Sequence, residues 1–181
     1  MNVTPLAIPE VLLIEPVTHR DGRGFFLESY HEERYRAAGI DVPFVQDNHS
    51  RSGRGTLRGL HWQAEPYPQA KLVRVLWGEI FDVAVDLRPD SPTFGRWVAA
   101  TLTGENFLQM YVPVGFAHGF CVVSDIADVA YKCSGLHHRP SERGLRWNDP
   151  AIGIPWPVVD PILSDRDQRH PTLAELANLT S

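Results

Sequence analysis

The feature that most constrains this chain is the period of its apolar residues. Between turn signals they recur at nearly every second position, in segments too short for most helices: 45–50, 57–63, 72–77, 79–87, 97–102, 109–112, 116–123 and 128–133. Clusters such as Ser52-Gly53-Arg54-Gly55, Trp77-Gly78-Glu79 and Arg88-Pro89-Asp90-Ser91-Pro92 separate them. Many short strands at that spacing predict an all-β sandwich or barrel. Helix is confined to the margins. One short helix is expected over 32–38, ended by Gly39, and another over 172–179, opened by the capping-box pair Thr172 and Glu175. No repeat, linker or low-complexity stretch interrupts the 181 residues. A single domain over 1–181 is expected, large enough to fold without a disulfide or metal staple.

With 43% hydrophobic and 22% charged residues the chain is not of the disordered class, and no apolar run approaches a membrane span. The N-terminus has no basic cluster, and Val11-Leu12-Leu13-Ile14 is flanked by Glu10 and Glu15. No secretory leader and a cytoplasmic location are therefore expected. Cys121 and Cys133 lie in apolar strand segments and read as buried, reduced thiols. A formal net charge of −5 argues against nucleic acid as a partner. The cations are lopsided: among 17 Lys and Arg, only Lys71 and Lys132 are lysine. That hints at positions where a compact ammonium is wanted.

The segment 79–88 alternates, with Phe81, Val83, Val85 and Leu87 on one face and Asp82, Ala84 and Asp86 on the other. The simpler expectation for the two aspartates is a solvated outer face. The alternative is a polar cavity, as in ligand-holding barrels. Gln46 and Asn48 share a strand face and suit solvent or a polar ligand equally. Arg58 and His61 are three apart, so they serve one site only if Gly59 marks a bulge or twist.

Pro113-Val114-Gly115-Phe116-Ala117-His118 resembles the second motif of the cupin superfamily of small jelly-roll barrels. The first motif of that superfamily would supply His-x-His for a metal, but this chain reads His61-Trp62-Gln63. One imidazole and one amide make a poor metal site. A cupin-type jelly roll with short peripheral helices, and no metal, is expected.

The resemblance then narrows. Asp21-Gly22-Arg23-Gly24-Phe25-Phe26-Leu27-Glu28, Phe44-Val45-Gln46-Asp47-Asn48-His49-Ser50, Leu57-Arg58-Gly59-Leu60-His61-Trp62-Gln63, Lys71-Leu72-Val73-Arg74, Phe81-Asp82-Val83-Ala84-Val85-Asp86-Leu87-Arg88, Ser91-Pro92-Thr93-Phe94-Gly95, the run from Pro113 to Phe120 and Trp147-Asn148-Asp149-Pro150 resemble the dTDP-4-dehydrorhamnose 3,5-epimerase family. The match runs from Ile8 to Asp167 without a large gap.

The resemblance implies a cofactor-independent epimerase of the dTDP-L-rhamnose route. Its substrate would be a 4-keto-6-deoxyhexose on thymidine diphosphate, inverted at C3 and C5 through an enolate at C4. By the same resemblance His61 is the base, Asp167 its dyad partner, Lys71 the group at the enolate oxygen and Tyr131 the acid on the opposite face. Substrate binding would fall to Arg23, Glu28, Gln46, Asn48, Arg58, Lys71, His118, Glu142 and Arg166, with Arg23 and Glu28 reaching across a homodimer. Relatives carry an aromatic beyond the tyrosine that stacks on the base, whereas residues 132–138 contain no Phe, Tyr or Trp, leaving His137 for that role. The alternatives are a sibling acting at one carbon, a 3,4-ketoisomerase, and a non-catalytic sugar-binding cupin. Tyr131 speaks against the ketoisomerase, whose suprafacial shift needs no acid on the far face.

Overall fold

In the computed structural model, which describes residues 1–179, the alternating segments pair into two antiparallel sheets. The strands are β1 (Asn2–Pro5), β2 (Leu12–Glu15), β3 (Thr18–Asp21), β4 (Gly24–Leu27), β5 (Gln46–Gly53), β6 (Leu57–Gln63), β7 (Lys71–Trp77), β8 (Glu79–Asp86), β9 (Trp97–Thr103), β10 (Gln109–Val112), β11 (Phe116–Val122), β12 (Ile126–Cys133) and β13 (Glu142–Gly144). One sheet runs β1-β2-β10-β7-β12-β5 and the other β13-β6-β11-β8-β9, while β3 and β4 form a separate hairpin. All eight anticipated strands form, with small shifts at their ends. The four N-terminal strands and β13 were not anticipated one by one. Each has four residues or fewer, and β3 and β4 are largely exposed, so a partner strand rather than an apolar period defines them.

Both expected helices are present, α1 (Glu32–Ala37) and α2 (Leu173–Leu179). The capping box is real: the Thr172 amide donates to Glu175 Oε2 at 2.7 Å, and the Glu175 amide donates to Thr172 Oγ1 at 3.3 Å.

The sheets stack face to face, leaving a sandwich rather than a closed barrel. Val73, Val75, Ala127, Val129 and Met110 of one sheet meet Ile80, Val98, Leu102, Phe120 and Val122 of the other. A second apolar layer lies outside. Leu145, Ile152 and Trp156 of the C-terminal segment cover Val83, Val85, Ala117 and Cys121 on the outer face of the five-stranded sheet.

That cover reverses the simpler expectation for β8. The apolar face of Val83 and Val85 is the outer one, and the face carrying Asp82, Ala84 and Asp86 turns inward. Both aspartates are fully buried. Asp86 is satisfied by Arg88 at 2.7 Å, Ser91 at 2.5 Å and Thr93 at 2.6 Å. Burial pushes its carboxyl upward, but those three partners overcome it and hold the group well below the usual carboxylate range.

Candidate active site

Toward one end of the sandwich the apolar core gives way to a polar cavity of about 620 Å³ between the sheets. That is an ordinary size for a small-molecule site. The six-stranded sheet supplies Gln46 and Asn48 from β5, Lys71 from β7 and Tyr131 from β12. The five-stranded sheet supplies Arg58, His61 and Gln63 from β6, His118 from β11 and Glu142 from β13. His137, Arg166 and Asp167 arrive on loops and a single helical turn. Eleven of the thirteen residues named from the sequence therefore line one cavity.

Arg58 and His61 share it because β6 slips against β11. Phe120 pairs with Arg58 but His118 pairs with His61, one residue more on one strand than on the other. Gly59 takes up the bulge at φ +127°, and a Cβ there would fall 2.6 Å from Gly119 Cα. Only glycine fits that position.

Arg23 and Glu28 stand outside the cavity of their own chain. Arg23 sits at the tip of the β3–β4 hairpin, paired with Asp21 at 2.6 Å, and Glu28 pairs with Arg34 at 2.8 Å.

His61 Nε2 lies 2.7 Å from Asp167 Oδ1. Burial raises the Asp167 carboxyl, but hydrogen bonds from His170 and His61 prevail and hold it far below its ordinary value. An ionised carboxylate only accepts, so the proton of His61 is on Nε2 and the lone pair on Nδ1. Burial drives the His61 pKa below the ordinary imidazole value, with Asp167 pulling the other way. Lys71 is likewise lowered by burial, and its ammonium donates to the His61 carbonyl at 3.3 Å. Burial raises the Tyr131 phenol, so that it keeps its proton at neutral pH. The Tyr131 ring also packs on the intersheet core, with its strand neighbour Val129 buried there.

The two arginines of the cavity have local partners. Arg166 Nη1 donates to Glu142 Oε2 at 2.7 Å, and Arg58 Nε donates to Ser52 Oγ at 3.0 Å. Gln46 Nε2 donates to Asn48 Oδ1 at 3.1 Å, which orients both amides on one face of β5. His118, directly across from His61 in the β6–β11 register, has its own buried partner, Asp82 Oδ1, at 2.7 Å.

Sequence reasoning missed His170, whose Nε2 is 3.2 Å from Asp167 Oδ1. Its three-residue spacing from Asp167 on a helical turn was the available signal. For Asp82 the strand period left both faces open, and the structure turns it inward, buried against His118. His61, Asp167 and His170 each offer a donor atom within 4.8 Å of the others. Those atoms are hydrogen-bonded to one another through Asp167, so a divalent ion would have to displace both bonds.

A β-sandwich holding an oriented imidazole, a buried ammonium and a protonated phenol around one polar cavity defines a class of protein: it has the groups that an isomerase on a jelly-roll scaffold needs to move protons. The comparisons sharpen this. The family model for dTDP-4-dehydrorhamnose 3,5-epimerase matches residues 5–175, and the chain belongs to that family. It is 54% identical over 168 residues to the dTDP-4-dehydrorhamnose 3,5-epimerase of Shigella flexneri, covering 92% of this chain and 93% of that one. It is 42% identical to the dTDP-4-dehydrorhamnose 3-epimerase of Streptomyces niveus, over 97% of this chain and 85% of that one. Its fold matches the crystal structure of a 3,5-epimerase from Legionella pneumophila in complex with dTDP-4-keto-L-rhamnose. There the TM-score is 0.94 at 49% identity, covering 98% and 96% of the two chains.

Proposed function

We propose that this chain converts dTDP-4-dehydro-6-deoxy-D-glucose to dTDP-4-dehydro-L-rhamnose by inverting C3 and C5. The observation that carries the chemistry is the cavity itself, where a His–Asp dyad, Lys71 and Tyr131 converge. His61 takes the proton next to the ketone, and the C–H electron pair moves onto the C4 oxygen. Lys71 steadies the enolate, an interaction worth roughly 3–4 kcal/mol for one well-placed donor. Tyr131, on the opposite sheet from His61, returns a proton to the other face. Arg58 and Arg166 meet the diphosphate, with Gln46, Asn48, His118 and Glu142 orienting the remaining polar groups and His137 lying against the base.

No metal or organic cofactor enters this scheme. The partner it does call for is a second copy of the chain. Phe25 and Phe26 on the β3–β4 hairpin are 56% and 69% exposed, and β1 ends a sheet with an open edge. A homodimer would cover both and carry Arg23 and Glu28 to the neighbouring cavity. A fully active monomer at micromolar concentration would rule this out.

The Streptomyces niveus relative favours one second reading, inversion at C3 alone. Incubation with dTDP-4-keto-6-deoxyglucose in D₂O, read by NMR at C3 and C5 separately, decides between them. Deuterium at both carbons with inverted product supports the double epimerase. Exchange at neither sinks the enzymatic reading. No helix among the described residues is long and apolar enough to cross a membrane.

A further inference from the structure

Asp167 Oδ1 is a shared oxygen. His61 Nε2 approaches it at 2.7 Å and His170 Nε2 at 3.2 Å, while Oδ2 receives the Gly59 amide at 3.4 Å. Because an ionised carboxylate only accepts, both imidazoles present an N–H to the same atom. The His170 ring stands edge-on to His61, centroids 5.3 Å apart and planes at 82°.

The seat of His170 is built by a missing side chain. Gly144 is the β13 residue directly opposite His61 in register. A Cβ at 144 would fall 2.1 Å from His170 Cε1 and Nδ1. The strand beside the base thus does without a side chain where the second imidazole lies. His170 does not line the cavity, so whatever it contributes passes through Asp167.

We propose that His170 is a positioning residue for the epimerisation, fixing the Asp167 carboxylate and drawing part of its charge away from His61. Two donors on one oxygen leave less negative charge for either. The His61 imidazolium is then held firmly in orientation but stabilised less, so it surrenders its proton more readily. Of the bonds that keep Asp167 ionised, the one from His170 leads and that from His61 follows, both working against burial. The other charged or titratable groups near this trio are Arg166 on the same segment, Lys71 on β7, Glu142 on β13, His118 on β11 and Arg146, whose Nε donates to the His170 carbonyl at 3.2 Å. All of these remain in the variants below.

The inference rests on His61 being the base. His61→Ala in the D₂O exchange assay tests that reading by itself, since surviving exchange would remove the base and leave the His170 variants to be read separately. The test proper compares His170→Phe with His170→Gln. Phe keeps a flat ring in the space left by Gly144 and loses the N–H, whereas Gln returns an N–H near the position of Nε2. Phe should lower kcat about 10- to 100-fold, the range for a hydrogen bond to a charged group, with KM changed less than about twofold. Freed of one donor, Asp167 becomes a stronger counter-charge for His61, so the acid limb of the kcat/KM profile should move to higher pH. Gln should recover most of the lost rate and return the limb. Wild-type kcat and an unmoved limb in Phe would overturn the proposal, as would Gln performing no better than Phe. A measurement on the wild-type protein stands apart from variant folding: ¹⁵N NMR of the histidines should find a proton on His170 Nε2, and a lone pair there would overturn the proposal outright.

Discussion

Replacing Tyr131 by Phe removes one oxygen atom from the cavity and separates two halves of the proposed reaction. The stability cost is small. The ring still packs on the intersheet core, and what is lost is the phenol's interaction with Asn48 across the β5–β12 ladder. Even a full hydrogen bond there would be worth only about 1 kcal/mol, or a Tm shift of roughly 2–4 °C for a domain of this size. The catalytic cost is much larger. A general acid contributes about 10²–10⁴-fold, which is about 3–5 kcal/mol of barrier. Misfolding therefore cannot imitate the effect. With His61, Asp167 and Lys71 intact, Tyr131→Phe should still form the enolate and return a deuteron to the face from which the proton left. In D₂O, NMR should show deuterium entering the substrate while inverted product falls at least about 100-fold. His61→Ala should lose both signals, because no enolate forms. If Tyr131→Phe inverts at the wild-type rate, the tyrosine is a core residue only, and the choice between epimerase and ketoisomerase reopens.

Burial lowers His61 more than Asp167 raises it, so the acid limb of kcat/KM should lie below the ordinary imidazole value near 6.5. A limb at or above pH 7 would contradict the derived environment. Asp86 has a depressed folded-state pKa, so its stabilisation is full above the unfolded value near 4 and drains away as pH falls toward the folded one. Urea unfolding between pH 3 and pH 7 should show stability falling below about pH 4, and Asp86→Asn should flatten that fall; an unchanged slope would refute the assignment. Because the proposed chemistry uses side chains alone, activity should survive exhaustive chelation, and loss to chelator with recovery on adding metal would overturn the metal-free reading. Gly59→Ala forces a side chain to φ +127° and to within 2.6 Å of the Gly119 backbone. It should cost at least about 1–3 kcal/mol and lower kcat by misplacing His61, whereas native Tm and kcat would show the bulge to be soft.

The eight main strands and both helices were legible in the sequence, because side-chain period, turn residues and capping pairs act over a few positions; the candidate site residues were legible only through the family resemblance. Even the slip in β6 was readable: Arg58 and His61 fit one site only with a bulge, and Gly59 was the residue able to make it. Chain-wide arrangement was not. The alternation in β8 shows that its two faces differ, but Leu145, Ile152 and Trp156, some sixty or more residues downstream, settle which face turns inward. By covering Val83 and Val85 from outside they leave Asp82 and Asp86 between the sheets. The short strands β3, β4 and β13 exist through their pairing partners, and no local period announces them. His170 is the sharpest case. Its spacing from Asp167 places the two side chains near each other, but it comes beside His61 only because the C-terminal segment returns next to β6, where Gly144 leaves room for its ring. Local chemistry decided which groups the site could use, while long-range packing decided that two imidazoles share one carboxylate oxygen.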